Sequence, residues 1–132
     1  MALFGVPVSC ADHARRAVAA AIDMQAAVLE FQKRWGADGL PAMDIGIGVN
    51  TGTMVAGTIG SSQRVEFTVI GDDVNIASRV QDLNRELDTR ILVTRSTYEA
   101  VEKDVLARGP LVGSVKGKEF TAFEILGWRE TI

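Results

Sequence analysis

Residues 64–79 read RVEFTVIGDDVNIASR and constrain the fold more than any other stretch. From Arg64 to Ile70, Val65, Phe67 and Val69 fall on one face and Arg64, Glu66, Thr68 and Ile70 on the other. That period of two is the pattern of a half-buried strand. Gly71 permits a tight turn, and helical spacing begins at once: Ile76, Val80 and Leu83 recur at i, i+4 and i+7 as one apolar stripe. Asp72 and Asp73 fall where the helix starts, so their carboxylates are expected to cap free N–H groups and favour the positive end of the helix dipole. Adjacent positions diverge by about 100° around a helix of roughly 3.6 residues per turn, which argues against one metal ion held by both.

Asn75 and Arg79 lie one turn apart on a different face of the same helix. An amide and a guanidinium converging just past a strand suit an oxygen-rich anion, because the planar Arg fork matches phosphate geometry. Spacing alone leaves a plainer reading open. Asn75 would then be a polar first-turn residue, and Arg79 would pair with Asp82 at i+3 as an exposed ion pair of little worth.

With 132 residues and 47% hydrophobic content, the chain suits one domain that buries roughly two thirds of its unfolded surface. A net charge of -3 offers no bulk attraction to nucleic acid or anionic lipid. The single cysteine, Cys10, excludes an internal disulfide framework and fits a reducing compartment. No apolar run approaches a membrane span and no signal peptide is recognisable. A soluble, cytoplasmic segment without membrane contact is expected.

Residues 12–35 carry Ala14, Val18, Ala21, Ile22, Val28, Leu29 and Trp35 at helical spacing, and Gly36 is the expected C-cap. His13 belongs to a solvated helix end and Met24 to the packing. Residues 44–50 form a strand with Ile45, Ile47 and Val49 opposite Gly46 and Gly48, a glycine face that lets another element approach closely. A turn at Asn50, Thr51 and Gly52 is expected to return residues 53–59 as its partner strand. These glycines sit inside a strand and Gly57 precedes Thr58 without a Walker lysine, so neither a dinucleotide fingerprint nor a phosphate loop fits. A polar turn at 60–63 leads back to the central strand. Further on, residues 90–94 read as a short strand, 96–103 as a short helix, and 111–115 with 120–126 as a closing hairpin. Its turn, Lys116-Gly117-Lys118, leaves two ammonium groups exposed to polyphosphate or to solvent alone.

Four stretches in register, MALFG, IGIGVNTGTMVAGTIG, VIGDDVNIASR and SVKGK, resemble the class III nucleotide cyclases, the adenylate and guanylate cyclase catalytic domains, in their bacterial form. The resemblance covers nearly the whole chain. It implies an α+β, ferredoxin-like class III nucleotide cyclase fold, with a mixed or antiparallel sheet and helices packed on it. It also implies conversion of ATP to cyclic AMP and pyrophosphate: the ribose 3′ oxygen attacks the α-phosphate while two divalent ions, Mg2+ or Mn2+, hold the reacting oxygens. Carried onto this sequence, Arg79 stabilises the charge that grows on the phosphate and Asn75 orients the ribose. Lys116 holds the leaving phosphates, with Lys118 a second contact. Thr68 matches a purine-reading position that is often Thr in bacterial adenylate cyclases, which favours ATP over GTP; selection for β propensity alone is its plainer explanation.

Residues 1–6, MALFGV, read as the end of a buried strand. In the family this strand closes a hairpin whose turn bears a metal-binding Asp, after an earlier strand bearing another; both, and a purine-reading lysine, lie upstream of the matched residues. The expectation is therefore a partial catalytic domain over residues 1–132, truncated at the N-terminus, without the first strand or most of the metal-binding hairpin. Such a sheet exposes unpaired backbone and bare core. A homodimer, intertwined or with exchanged strands or helices, is expected to cover it. In the family each active site lies at a dimer interface, with metal ligands from one chain and the Asn/Arg pair from the other. The alternative reading is a cyclase-like dimerisation module without chemistry.

Overall fold

The computed structural model describes residues 1–6, 8–39, 44–53, 55–61 and 64–129, and for 55–61 and 64–70 it describes the backbone alone. Along the chain these residues form α1 (His13–Ala37), β1 (Ile47–Val49), β2 (Val55–Ser61), β3 (Arg64–Ile70), α2 (Asp72–Leu87), β4 (Ile91–Val93), α3 (Arg95–Val101), β5 (Val105–Val115) and β6 (Lys118–Trp128). One mixed sheet runs in the order β1-β4-β6-β5, with β1 parallel to β4 and the other pairs antiparallel. β2 and β3 form a separate antiparallel pair. The expected α+β class is thus observed.

Alternation along β4 and β6 divides the core between the two faces of the sheet. Ile91 and Val93 of β4 and Phe123 and Ile125 of β6 pack with Ala14, Val18 and Ala21 of α1 and with Val101 of α3. Leu92 and Ala122 point the other way, onto Val80 and Leu83 of α2. The apolar stripe read from the sequence is the buried face of α2: Val80 and Leu83 are wholly inaccessible and Ile76 packs beside them. Burying each such side chain is worth about 1.5–3 kcal/mol.

The glycine face of β1 does what its composition implies. A Cβ on Gly48 would lie 2.4 Å from the backbone nitrogen of Gln81 and 2.7 Å from the carbonyl oxygen of Ala77. Only glycine lets α2 come this close to the strand. Farther along α2, Asn84 Nδ2 donates to the Ile47 carbonyl at 3.1 Å, and the Thr89 hydroxyl donates to Asn84 Oδ1 at 2.9 Å. On the opposite face, buried Gln25 of α1 donates to the Ile45 carbonyl at 2.9 Å.

Five local expectations are corrected. The segment after β1 does not return as its partner: β2 pairs with β3, and β1 pairs with β4. Asn50 and Thr51 are committed to side-chain contacts with α2 and α3, so the chain leaves the sheet instead of reversing tightly. Helix α1 continues through Gly36 to Ala37, and Gly39, at φ +74°, is the residue that takes the left-handed conformation. Residues 1–6 form no strand: Met1 is 85% exposed, and Gly5 lies beside His13 at the start of α1. Met24 is 51% exposed on the outer side of α1 and so is not packing. Finally, Val115 pairs with Lys118, so the β5–β6 turn consists of Lys116 and Gly117 alone, at φ +52° and +78°. Two successive left-handed residues make the tight hairpin turn whose twist matches its strands.

Past Gln25 the outer half of α1 is incompletely covered. A groove of about 320 Å3 runs between α1 and the sheet, lined by Ile22, Gln25, Leu29, Arg90, Glu124 and Leu126. Leu29 and Leu126 are 45% and 61% exposed.

Candidate functional site

The strand-turn-helix of residues 64–79 is present with the boundaries the pattern implies: β3 ends at Ile70 and α2 starts at Asp72. Gly71 between them has φ +143°, a backbone region open to glycine and strained for other residues. With Val80 and Leu83 anchored in the core, Asn75 is exposed and Arg79 half-buried, four residues apart on a common side of α2. Among the described residues, neither side chain has a hydrogen-bond or ion-pair partner. The Asp82 pairing that would explain Arg79 structurally is therefore not made. Both groups are left available to something outside the described residues.

The two acidic residues of the first turn do not cap as expected. The N-cap position is Gly71, without a side-chain cap. The Asp73 carboxylate instead accepts a hydrogen bond from Asn50 Nδ2 at 3.0 Å, and the same nitrogen donates to the Asp73 carbonyl at 2.9 Å. A long-range partner has outcompeted the local one. Favourable interaction with the helix dipole remains a reason for acidity at this end. The described residues contain no group of three or more His, Cys, Asp or Glu placed to hold a metal ion. With Asp73 tied to Asn50, the two neighbouring aspartates do not fit a divalent cation. What the chain presents near α2 is an exposed amide, Asn75, and a half-buried guanidinium, Arg79.

Lys116 and Lys118 are brought together at the β5–β6 turn, both exposed. No hydrogen bond or ion pair among the described residues joins them to α2. Thr68 lies in β3 opposite Gly57 of β2, and its side chain falls outside the described residues.

Sequence reasoning missed the polar network behind α2. Asn50 Oδ1 accepts from the Thr94 hydroxyl at 2.7 Å, Ser96 donates to the Thr51 carbonyl at 2.8 Å, and the Thr51 and Thr97 hydroxyls are 2.8 Å apart. Asn50 and its partners are more than twenty residues apart in the chain, so no local spacing could have revealed them.

A mixed sheet with α1 and α3 on one face, α2 on the other and a projecting β2–β3 hairpin is an architecture shared with solved nucleotide cyclases. The guanylyl cyclase Cya2 superposes with a TM-score of 0.82 at 33% identity, over 96% of this chain and 64% of that one. The adenylyl cyclase CyaB from P. aeruginosa gives 0.83 at 27% identity, over 98% and 67%. The adenylate and guanylate cyclase catalytic domain family matches residues 1–127, and the chain belongs to that family. Curated relatives include adenylate cyclase 1 of Rhizobium meliloti, 34% identical over 94% of this chain, and an adenylate cyclase of Anabaena cylindrica, 44% identical over 61%. The chain spans only 18% and 17% of the length of those two relatives.

Proposed function

We propose that the chain is the C-terminal portion of a nucleotide cyclase catalytic domain, a lyase that converts ATP to cyclic AMP and pyrophosphate in intracellular signalling. The observation that carries this reading is the Asn75/Arg79 pair, without a partner among the described residues and held outward by the buried opposite face of α2. As the ribose 3′ oxygen closes on the α-phosphorus and the bond to the β-phosphate breaks, negative charge grows on the phosphate oxygens. A half-buried guanidinium one turn beyond an amide is suited to that charge, with Asn75 orienting the ribose. Lys116 and Lys118, exposed at a tight turn, suit the departing pyrophosphate. The hydroxyl of Thr68 serves to read the base and favours adenine over guanine. Mg2+ or Mn2+ is assigned to ligands outside this chain, so the 132 residues alone are expected to be inactive.

The test uses the domain completed with the upstream strands and supplied with manganese. Formation of cyclic AMP in preference to cyclic GMP supports the reading; a silent completed domain with Arg79 in place counts against it. In the active domain Lys116→Ala is expected to raise KM for ATP roughly 10- to 100-fold, the loss of one charge-assisted contact of about 1.5–3 kcal/mol. An unchanged KM removes Lys116 from the site.

A homodimer is part of the proposal. β1 is an edge strand of the four-stranded sheet, and the groove beside α1 leaves Leu29 and Leu126 accessible, both suited to cover by a second copy. Light scattering at micromolar concentration should give twice the chain mass; a compact monomer would refute it. The exposed apolar surface equally favours the second reading, a dimerisation module without chemistry. Tight ATP binding that Lys116→Ala and Arg79→Ala abolish would exclude that module.

A further inference from the structure

The geometry points to Asn50 and Asp73 as positioning residues that fix the pose of the Asn75/Arg79 face, an inference that rests on the cyclase reading above. Asn50 uses both ends of its amide. Its Nδ2 donates to the backbone carbonyl and to the carboxylate of Asp73, at 2.9 and 3.0 Å, and its Oδ1 accepts from Thr94 at 2.7 Å. It thereby ties the first turn of α2 to the residue that precedes α3. The loop after β1 is held independently, through Ser96 to the Thr51 carbonyl and through Thr51 to Thr97, which is fully buried. That loop is consequently a fixed platform for Asn50.

Space is reserved for the contact. A Cβ on Gly52 would lie 2.3–2.5 Å from the Asp73 carboxyl atoms, so the carboxylate keeps its place only while residue 52 has no side chain. No left-handed φ requires glycine there, unlike Gly71. The remaining anchors of α2, at Ala77 and Gln81 against Gly48 and at Asn84 against Ile47, lie beyond Asn75. Asn75 stands two residues past Asp73, in the turn that would be free to fray if Asn50 let go. A buried-side anchor at one end and close backbone packing at the other hold the Asn75/Arg79 span between them. Preorganisation of this kind acts on the step at which charge develops more than on substrate affinity.

The polarity of the pair supplies the test. Asn50→Asp sets one carboxylate against another and removes both donated bonds. Adding Asp73→Asn restores a side-chain bond with donor and acceptor exchanged. In the completed domain, Asn50→Asp is expected to lower kcat about 10-fold or more with KM for ATP within roughly twofold, and the double variant to recover most of the loss. Gly52→Ala, which displaces the carboxylate without touching Asn50, should lower kcat in the same way. Hydrogen exchange on the 132-residue chain should show residues 74–76, the first hydrogen-bonded amides of α2, losing protection in Asn50→Asp and regaining it in the double variant. Unchanged kcat in both single variants, loss without rescue, or parallel changes in KM would each overturn the positioning role. An inactive parent domain would overturn the cyclase reading and this role with it, whereas an active parent indifferent to Asn50→Asp overturns only the role.

Discussion

Arg79→Ala in the completed domain is expected to lower kcat by ~10² to 10³, the ~3–4 kcal/mol typical of one preorganised donor at a charge-developing centre. The same substitution should leave thermal stability within about 0.5 kcal/mol, as for other surface changes away from packed or paired groups. This separation follows from the structure: Arg79 has no ion-pair partner among the described residues, while the packing of α2 depends on Val80 and Leu83 on another face. Arg79→Lys should recover little of the rate, because an ammonium supplies a point charge without the bidentate fork. Steady-state kinetics with a parallel melting curve decides the matter. A variant that keeps its rate and loses stability would make Arg79 a structural residue of α2 and leave the chain without its main charge-stabilising group.

Among the glycines with described surroundings, Gly48→Ala should be the most damaging. The added methyl carbon would meet Gln81 N at 2.4 Å, Ala77 O at 2.7 Å and Gln81 Cα at 2.8 Å, all backbone atoms that no rotamer change can move. Relief requires α2 to lift off β1, and Val80 and Leu83 would then lose their fit against Leu92. The expected cost is about 3 kcal/mol, or roughly 10 °C in Tm for a domain of this size. Gly36→Ala is the internal control. It lies within α1 with nothing within 4 Å of its added carbon, so alanine should stabilise the helix by about 0.5–1 kcal/mol. Calorimetry on both variants checks the pair of signs; a Gly48→Ala protein that melts with the parent would mean that α2 does not sit this close to β1.

The family resemblance, carried by VIGDDVNIASR and three further motifs in register, agrees with the family match over residues 1–127. Much of the secondary structure was equally legible, because periodicity is a local property. The bounds of β3, the start of α2 and its buried stripe all follow from spacing, and Gly46 and Gly48 announced a close approach on one face of β1. Local signals failed where a distant partner intervened. Asn50-Thr51-Gly52 has the composition of a hairpin turn, yet its side chains bind Asp73, Thr94, Ser96 and Thr97, and β2 takes β3 as its partner. Gly36 resembles a helix end, but the helix runs on until Gly39 accepts the left-handed conformation.

By itself the sequence determined the bounds of β3 and the start of α2, the family to which the chain belongs, and the one-turn spacing of Asn75 and Arg79. Tertiary structure alone decided that β1 pairs with β4 in place of its sequence neighbour, that Asp73 serves Asn50 and not its own helix end, and that Arg79 has no described partner. The division has a physical cause. Periodicity and turn chemistry act over a few residues, whereas a hydrogen bond between side chains 23 positions apart, as between Asn50 and Asp73, exists only once packing has brought its two ends together.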